Sequence, residues 1–188
     1  MSLETSPKSN KKYQIILADP PWSYRNKKTG GSMQSGAVNK YPVLSLEQIC
    51  NLPISKISDK NSVLFLWVTC PMMQEGMSVM RAWGYSYKTK IYWRKIMSLG
   101  MGFWFRGQVE ELWLGVKGKV PAFRIQTANF IQTKALQHSQ KPEEARRIIE
   151  QVKLSPRIEL FARQKTEGWD VWGNEVESDI DLMNLNKA

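Results

Sequence analysis

A short apolar run, Tyr13 to Ala18, stops at Asp19-Pro20-Pro21-Trp22, and this junction constrains the fold more than any other stretch. The run is too short and too uniformly apolar for a surface helix and reads as a buried strand. Two successive prolines remove two N–H donors and fix two φ angles, so the strand must end there in a rigid turn. In an open α/β sheet, ligands bind beyond the carboxyl ends of the strands, which is where this tetrapeptide falls. The turn offers the Asp19 carboxylate and the Pro20 carbonyl as acceptors, with the Trp22 ring as a flat face. Two convergent acceptors suit an exocyclic amino group, because they engage both N–H bonds and aim the nitrogen lone pair outward. A purely structural proline turn capped by Asp19 fits the same four residues.

The rest of the chain supplies partners for that strand. Val63 to Val68 and Arg157 to Phe161 read as buried strands, with Glu111 to Val116 and Trp169 to Trp172 as further candidates. Tyr87 to Trp93 alternates, placing Lys88 and Lys90 on one face and Tyr87, Thr89, Ile91 and Trp93 on the other. Ser45-Leu46-Glu47-Gln48 has capping-box spacing and opens a short helix. A second helix is expected from Pro71 to Trp83. A third follows Pro142, with Glu143 and Glu144 well placed in its first turn. Strands alternating with helices predict an α/β fold with a mostly parallel sheet and flanking helices. Lys27 to Lys40, rich in Gly, Ser and Asn, reads as a surface loop.

Composition narrows the function. The 188 residues suit one domain, with residues 1–10 as a flexible leader and 11–188 as the folded unit. Cys50 and Cys70 cannot build a disulfide framework or a Cys-rich zinc site, and His138 is the sole histidine, so no metal is expected. The N-terminus lacks a signal-peptide core, and Val63 to Val68 falls far short of the roughly 20 residues of a membrane span. A cytoplasmic protein without a membrane partner is expected. Residues 1–136 carry 19 basic and 7 acidic side chains, a surplus of +12, whereas 137–188 carry 8 and 10. A basic body with a neutral tail is the footprint of a polyanion binder, nucleic acid first. A merely soluble basic protein would show the same total. Any of the eight Trp that reaches a groove can stack on unpaired bases.

Six motifs occur in a fixed order: DPPW, FLWV at Phe65 to Val68, GVKG at Gly115 to Gly118, HSQKPEE from His138, IELFAR from Ile158 and WGNE from Trp172. Over about Tyr13 to Glu175 they resemble the MT-A-type family of S-adenosylmethionine-dependent adenine N6-methyltransferases, particularly its small bacterial and phage-borne members. The resemblance implies a Rossmann-like methyltransferase fold in permuted order, the catalytic strand preceding the cofactor half. The sequence agrees in having no Gly-rich nucleotide loop before Asp19. The strand-end Gly cluster of ordinary methyltransferases is also missing from the IELFARQK stretch.

The resemblance assigns catalysis to Asp19, Pro20, Pro21 and Trp22, with S-adenosyl-L-methionine as cofactor. Lys141, at a helix N-terminus that favours anions, would hold the methionine carboxylate, with Ser139 and His138 nearby and Asp19 close to the amine. Phe161 would wall the cofactor, Arg163 flanks the same strand end, and Asn174 and Glu175 match the ribose-binding positions. Tyr41 matches a loop tyrosine near the target adenine, and Tyr24 belongs to the same region. Lys27, Lys28, Arg94, Lys95 and Arg106 are candidate phosphate contacts. The loops Lys27 to Lys40 and Leu99 to Gln108 would hold an adenine flipped from its stack.

The expected reaction is direct in-line methyl transfer to adenine N6, most plainly in DNA. An RNA adenine N6-methyltransferase and a non-catalytic nucleic-acid-binding partner subunit are the alternatives. A homodimer and pairing with a partner subunit both stay open. Cytosine N4 enzymes commonly begin the motif with Ser and end it with Tyr, unlike this chain.

Overall fold

Tyr13–Ala18 forms strand β1 and is buried along almost its whole length, because it lies in the interior of a sheet covered on both faces. The computed structural model describes residues 11–22, 44–96, 104–134 and 140–186. The remaining strands are β2 (Ser58–Thr69), β3 (Ser86–Ile96), β4 (Val109–Lys117), β5 (Phe130–Lys134), β6 (Arg157–Leu160) and β7 (Asp170–Trp172). The helices are α1 (Leu46–Cys50), α2 (Ile54–Ile57), α3 (Met73–Ala82) and α4 (Glu143–Glu150).

One seven-stranded sheet runs in the order β5, β3, β4, β2, β1, β6, β7. β1 is parallel to β2 and β6, β6 to β7, and β3 to β5, while β4 is antiparallel to β2 and β3. Among the described strands, β4 alone runs against the other six. One sheet edge therefore gathers six carboxyl ends and the amino end of β4. This is the edge that carries Asp19.

Side chains alternate along β1 and β2 and feed two cores. Ile16, Ala18, Leu64, Leu66 and Val68 pack with Ile49 of α1 and Val79 and Met80 of α3. Ile15, Leu17, Val63, Phe65 and Trp67 pack with Ala145 and Ile149 of α4. Gly76 lets α3 sit close to the sheet, since a Cβ there would lie 2.9 Å from a Val68 methyl. The capping box at α1 is formed: Ser45 Oγ accepts from the Gln48 amide at 3.1 Å and Gln48 Oε1 from the Ser45 amide at 2.8 Å.

The mixed α/β, mostly parallel architecture agrees with the sequence reading, but two details differ. Strict helix–strand alternation holds only in part, because β3, β4 and β5 follow one another with no helix among their described connections. The face assignment of Tyr87 is corrected by a bulge between Tyr87 and Thr89. An extra residue in one strand reverses the alternation beyond it. Tyr87 consequently leaves the face of Trp93 and packs edge-on against Trp113, with ring centroids 5.4 Å apart.

Candidate active site

Asp19 leaves β1 beside Phe161, which leaves the neighbouring β6, because Ala18 and Leu160 are partners across the two strands. The proline turn then folds tightly, with the Trp22 amide donating to the Pro20 carbonyl at 2.8 Å. That carbonyl keeps a second lone pair for another donor. Trp22 Nε1 donates to the Trp67 carbonyl at 3.1 Å, fixing the indole over the end of β2.

A chain of alternating charge crosses this edge. Lys141, just before α4, places Nζ 2.8 Å from Asp19 Oδ2 and 3.3 Å from Glu110 Oε2. Glu110 also pairs with Lys95 through its other oxygen. The two ammonium groups lie over indole faces, Lys141 at 5.4 Å from the Trp67 ring centroid and Lys95 at 4.8 Å from that of Trp93. Those two indoles meet edge to face at 5.9 Å. Two carboxylates and two lysine ammonium groups thus meet beside two tryptophans at this sheet edge.

Burial sets the proton affinities. It pushes the Asp19 carboxyl above its usual value, and Lys141 offsets this only in part while Glu110 adds to it. Burial also pushes Glu110 up, but Lys141 and Lys95 outweigh it and hold that carboxyl below its usual value. Lys141 is pulled down by burial, yet its two carboxylates more than compensate and keep it charged. Lys141 is drawn to two anions, one of them shared with Lys95, whereas at Asp19 the pull of Lys141 and Arg163 does not outweigh burial and the nearby Glu110.

The C-terminal motifs close the other side. Phe161 adopts φ 62°, a left-handed conformation that costs a residue with a side chain on the order of 1–3 kcal/mol. It turns the chain sharply after β6 and packs edge-on against Trp172, ring centroids 5.4 Å apart. Arg163 Nε lies 3.5 Å from Glu175 Oε1, and the Arg163 charge is felt at Asp19. Asn174 and Glu175 are exposed beside it. Gly173 permits the close approach, since a Cβ there would lie 2.1 Å from the Ala162 carbonyl oxygen.

The structure thus brings together Asp19, Pro20, Trp22, Lys141, Phe161, Arg163 and Glu175. Of the expected phosphate contacts, Arg94 and Arg106 are exposed, with Arg94 donating to Gln132 at 3.2 Å. Lys95 turns inward to Glu110 instead. Tyr24, Lys27, Lys28, Tyr41, His138 and Ser139 lie outside the described residues. Sequence reasoning missed Glu110, Trp67 and Trp93. The available signal was the Glu110-Glu111 pair opening an apolar strand, since buried carboxylates demand cations. The pair splits across the sheet: Glu111 faces the opposite side, where Lys90 Nζ at 2.8 Å and Trp113 Nε1 at 2.7 Å hold it.

A mostly parallel sheet with a half-buried carboxylate on a proline turn at its carboxyl edge is consistent with a Rossmann-like protein of the methyltransferase kind. The chain belongs to the MT-A70 family, whose model matches residues 13–175. It is 34% identical over 192 residues to the type II methyltransferase M.MunI of Mycoplasma sp, covering 88% of this chain and 78% of that protein. It is 28% identical over 179 residues to the human N(6)-adenosine-methyltransferase catalytic subunit METTL3, covering 88% of this chain but 28% of the subunit. The Arabidopsis thaliana N(6)-adenosine-methyltransferase MT-A70-like is 27% identical over 182 residues, 92% of this chain and 25% of that protein. The chain spans about a quarter of the length of these two eukaryotic relatives.

Proposed function

We propose that this chain is an S-adenosylmethionine-dependent methyltransferase acting on adenine N6 in DNA. The observation that carries the reading is Asp19, a carboxylate at the end of β1 on a Pro-Pro turn, 2.8 Å from Lys141. The residues around it suit the cofactor. Lys141 matches a carboxylate, Asp19 an ammonium group, Phe161 an apolar surface, and Glu175 a pair of ribose hydroxyls. Bound there, the cofactor would supply a methyl group carried on a positively charged sulfur. With β1 as the catalytic strand and Phe161 and Glu175 in the cofactor half, the order would be the permuted one.

Asp19 accepts one N–H of the adenine amine, and the free lone pair of the Pro20 carbonyl accepts the other. The nitrogen lone pair then points away from both acceptors, toward the incoming methyl. Taking up the methyl as its bond to the cofactor sulfur breaks, the amine would become cationic, and Asp19 would stabilise that charge as a preorganised partner. The raised proton affinity of the Asp19 carboxyl suits it to receive the proton the amine then sheds. N6 is paired inside a duplex, so the adenine must be unpaired or flipped to reach the turn.

DNA is favoured over RNA because the chain is more similar to the type II methyltransferase, at 34% identity, than to METTL3, at 28%. The test is incubation with isotopically labelled cofactor and matched DNA and RNA oligonucleotides, single- and double-stranded, followed by mass spectrometry of the nucleosides. N6-methyladenine in DNA, absent with Asp19→Ala, is the expected result. Methylation confined to RNA would overturn the choice of DNA. Methylation of cytosine would overturn the assigned base.

A further inference from the structure

Trp104 and Phe105 are adjacent, and they are 93% and 88% exposed. The other seven tryptophans are packed in or against the two cores. Two aromatic rings fully in water are costly unless they serve a contact, and an exposed apolar patch marks an interaction surface. These two are followed directly by exposed Arg106 and by Gly107, whose Cα has no neighbour that a side chain would meet.

Their position is tied to the site. The segment runs into β4, where the Lys95 amide donates to the Gln108 carbonyl at 2.8 Å. Lys95 itself pairs with Glu110, and Glu110 lies 3.3 Å from Lys141. Trp104 precedes Glu110 by six residues, so even a fully extended chain keeps it within about 20 Å of that carboxylate. That reach spans roughly six base steps of a nucleic-acid strand at about 3.4 Å each.

We propose that Trp104 and Phe105 form a stacking platform for nucleobases next to the target adenine, with Arg106 neutralising a phosphate of the same strand. This rests on the reading of the chain as a nucleic-acid methyltransferase and names where the strand lies. Charge complementarity selects the occupant. The surplus of +12 lies in residues 1–136, which include this segment, and favours a polyanion over a protein partner. Every base presents a flat π face, so the platform grips a strand without reading its sequence. Stacking needs exposed base faces, so the platform favours single-stranded or locally opened substrate.

The test measures binding of the full chain to a short fluorescein-labelled single-stranded DNA by anisotropy across a salt series, without requiring turnover. Trp104→Ala with Phe105→Ala should weaken binding by about 5- to 100-fold, the worth of one or two stacked bases. Trp104→Phe should restore most of it, which a merely structural role would not predict. Arg106→Gln should instead lower the slope of log affinity against log salt by about 1, leaving stacking intact. Thermal melts of all variants should match the parent, as exposed side chains dictate. Unchanged affinity in the double alanine variant would overturn the platform even if the parent methylates adenine. A weakened double variant in a chain that shows no methylation would support the platform and remove only the catalytic reading. Unchanged DNA affinity with loss of a dimer on size-exclusion chromatography would reassign the surface to a second copy of the chain.

Discussion

Lys141 reaches Asp19 at 2.8 Å although 122 positions separate them in the chain. The contact exists because β1 ends at the same sheet edge where α4 begins, and because Glu110, from the reversed strand β4, holds the far side of the same ammonium. The Asp19–Lys141–Glu110 contact is therefore built by three parts of the chain distant in sequence. Its charge balance depends on all of them, and each can be tested separately.

Asp19→Ala removes the anion proposed to engage the reacting amine. Methyl transfer should fall by about 10²–10³, the usual loss when a preorganised electrostatic partner is deleted. The protein should stay folded, since ionised Asp19 carries a burial cost that the variant no longer bears. Turnover rates and thermal melts on the same preparation check both statements. Activity within about tenfold of the parent would remove Asp19 from the reaction.

Glu110→Gln tests the charge chain through stability. Breaking a buried ion pair costs about 3–5 kcal/mol, and the lower end applies because Lys141 keeps Asp19. The folded Glu110 carboxyl titrates below its value in the unfolded chain. Its contribution is therefore fully present above the unfolded value of 4.5 and is lost as pH falls through the folded value. Urea melts at neutral pH should show the variant less stable, and the gap should close as pH drops below that window. A gap that is constant with pH would mean that the carboxylate charge is not the source.

β1 and β2 were legible because strands buried on both faces appear as unbroken apolar runs, and Ser45 with Gln48 announced α1 through a purely local device. The position of Asp19 at a strand end was legible because the two prolines after it must stop the strand there. Glu110 was not, because its burial follows from strand pairing with Trp93 and Thr69, and pairing is set by distant contacts. The bulge that flips Tyr87 has the same origin. Lys141 was placed at the right edge, but the anions it meets there could only emerge once β4 was known to run backwards.

The acid limb of the activity profile follows from the same geometry. The Asp19 carboxyl titrates above the usual value of 3.8, so activity should begin to fall at a higher pH than an ordinary carboxylate would give. Glu110 contributes to that elevation through repulsion and Lys141 opposes it. Glu110→Gln should therefore move the acid limb to lower pH, and Lys141→Met should move it to higher pH. Rate against pH for the three proteins measures both shifts. Limbs that move together would show that the titrating group is not Asp19.

Gly173→Ala probes the C-terminal wall. A Cβ at this position would fall 2.1 Å from the Ala162 carbonyl oxygen and 2.8 Å from the Ala162 nitrogen, both of them backbone atoms that cannot swing aside. The turn is pinned further by the Ala162 amide on the Trp172 carbonyl at 3.0 Å and the Gly173 amide on Ser178 Oγ at 3.1 Å. Relief of the clash must displace the turn, at a cost of about 1–3 kcal/mol for overpacking. Asn174 and Glu175 would move with it, away from Arg163, so S-adenosylmethionine affinity should fall alongside the melting temperature. Gly107→Ala is the control, because a Cβ there meets nothing within 4 Å and should change neither quantity. Calorimetric melts and titrations with the cofactor decide the matter: a destabilised Gly173 variant with parental cofactor affinity would place the ribose site elsewhere than at this turn.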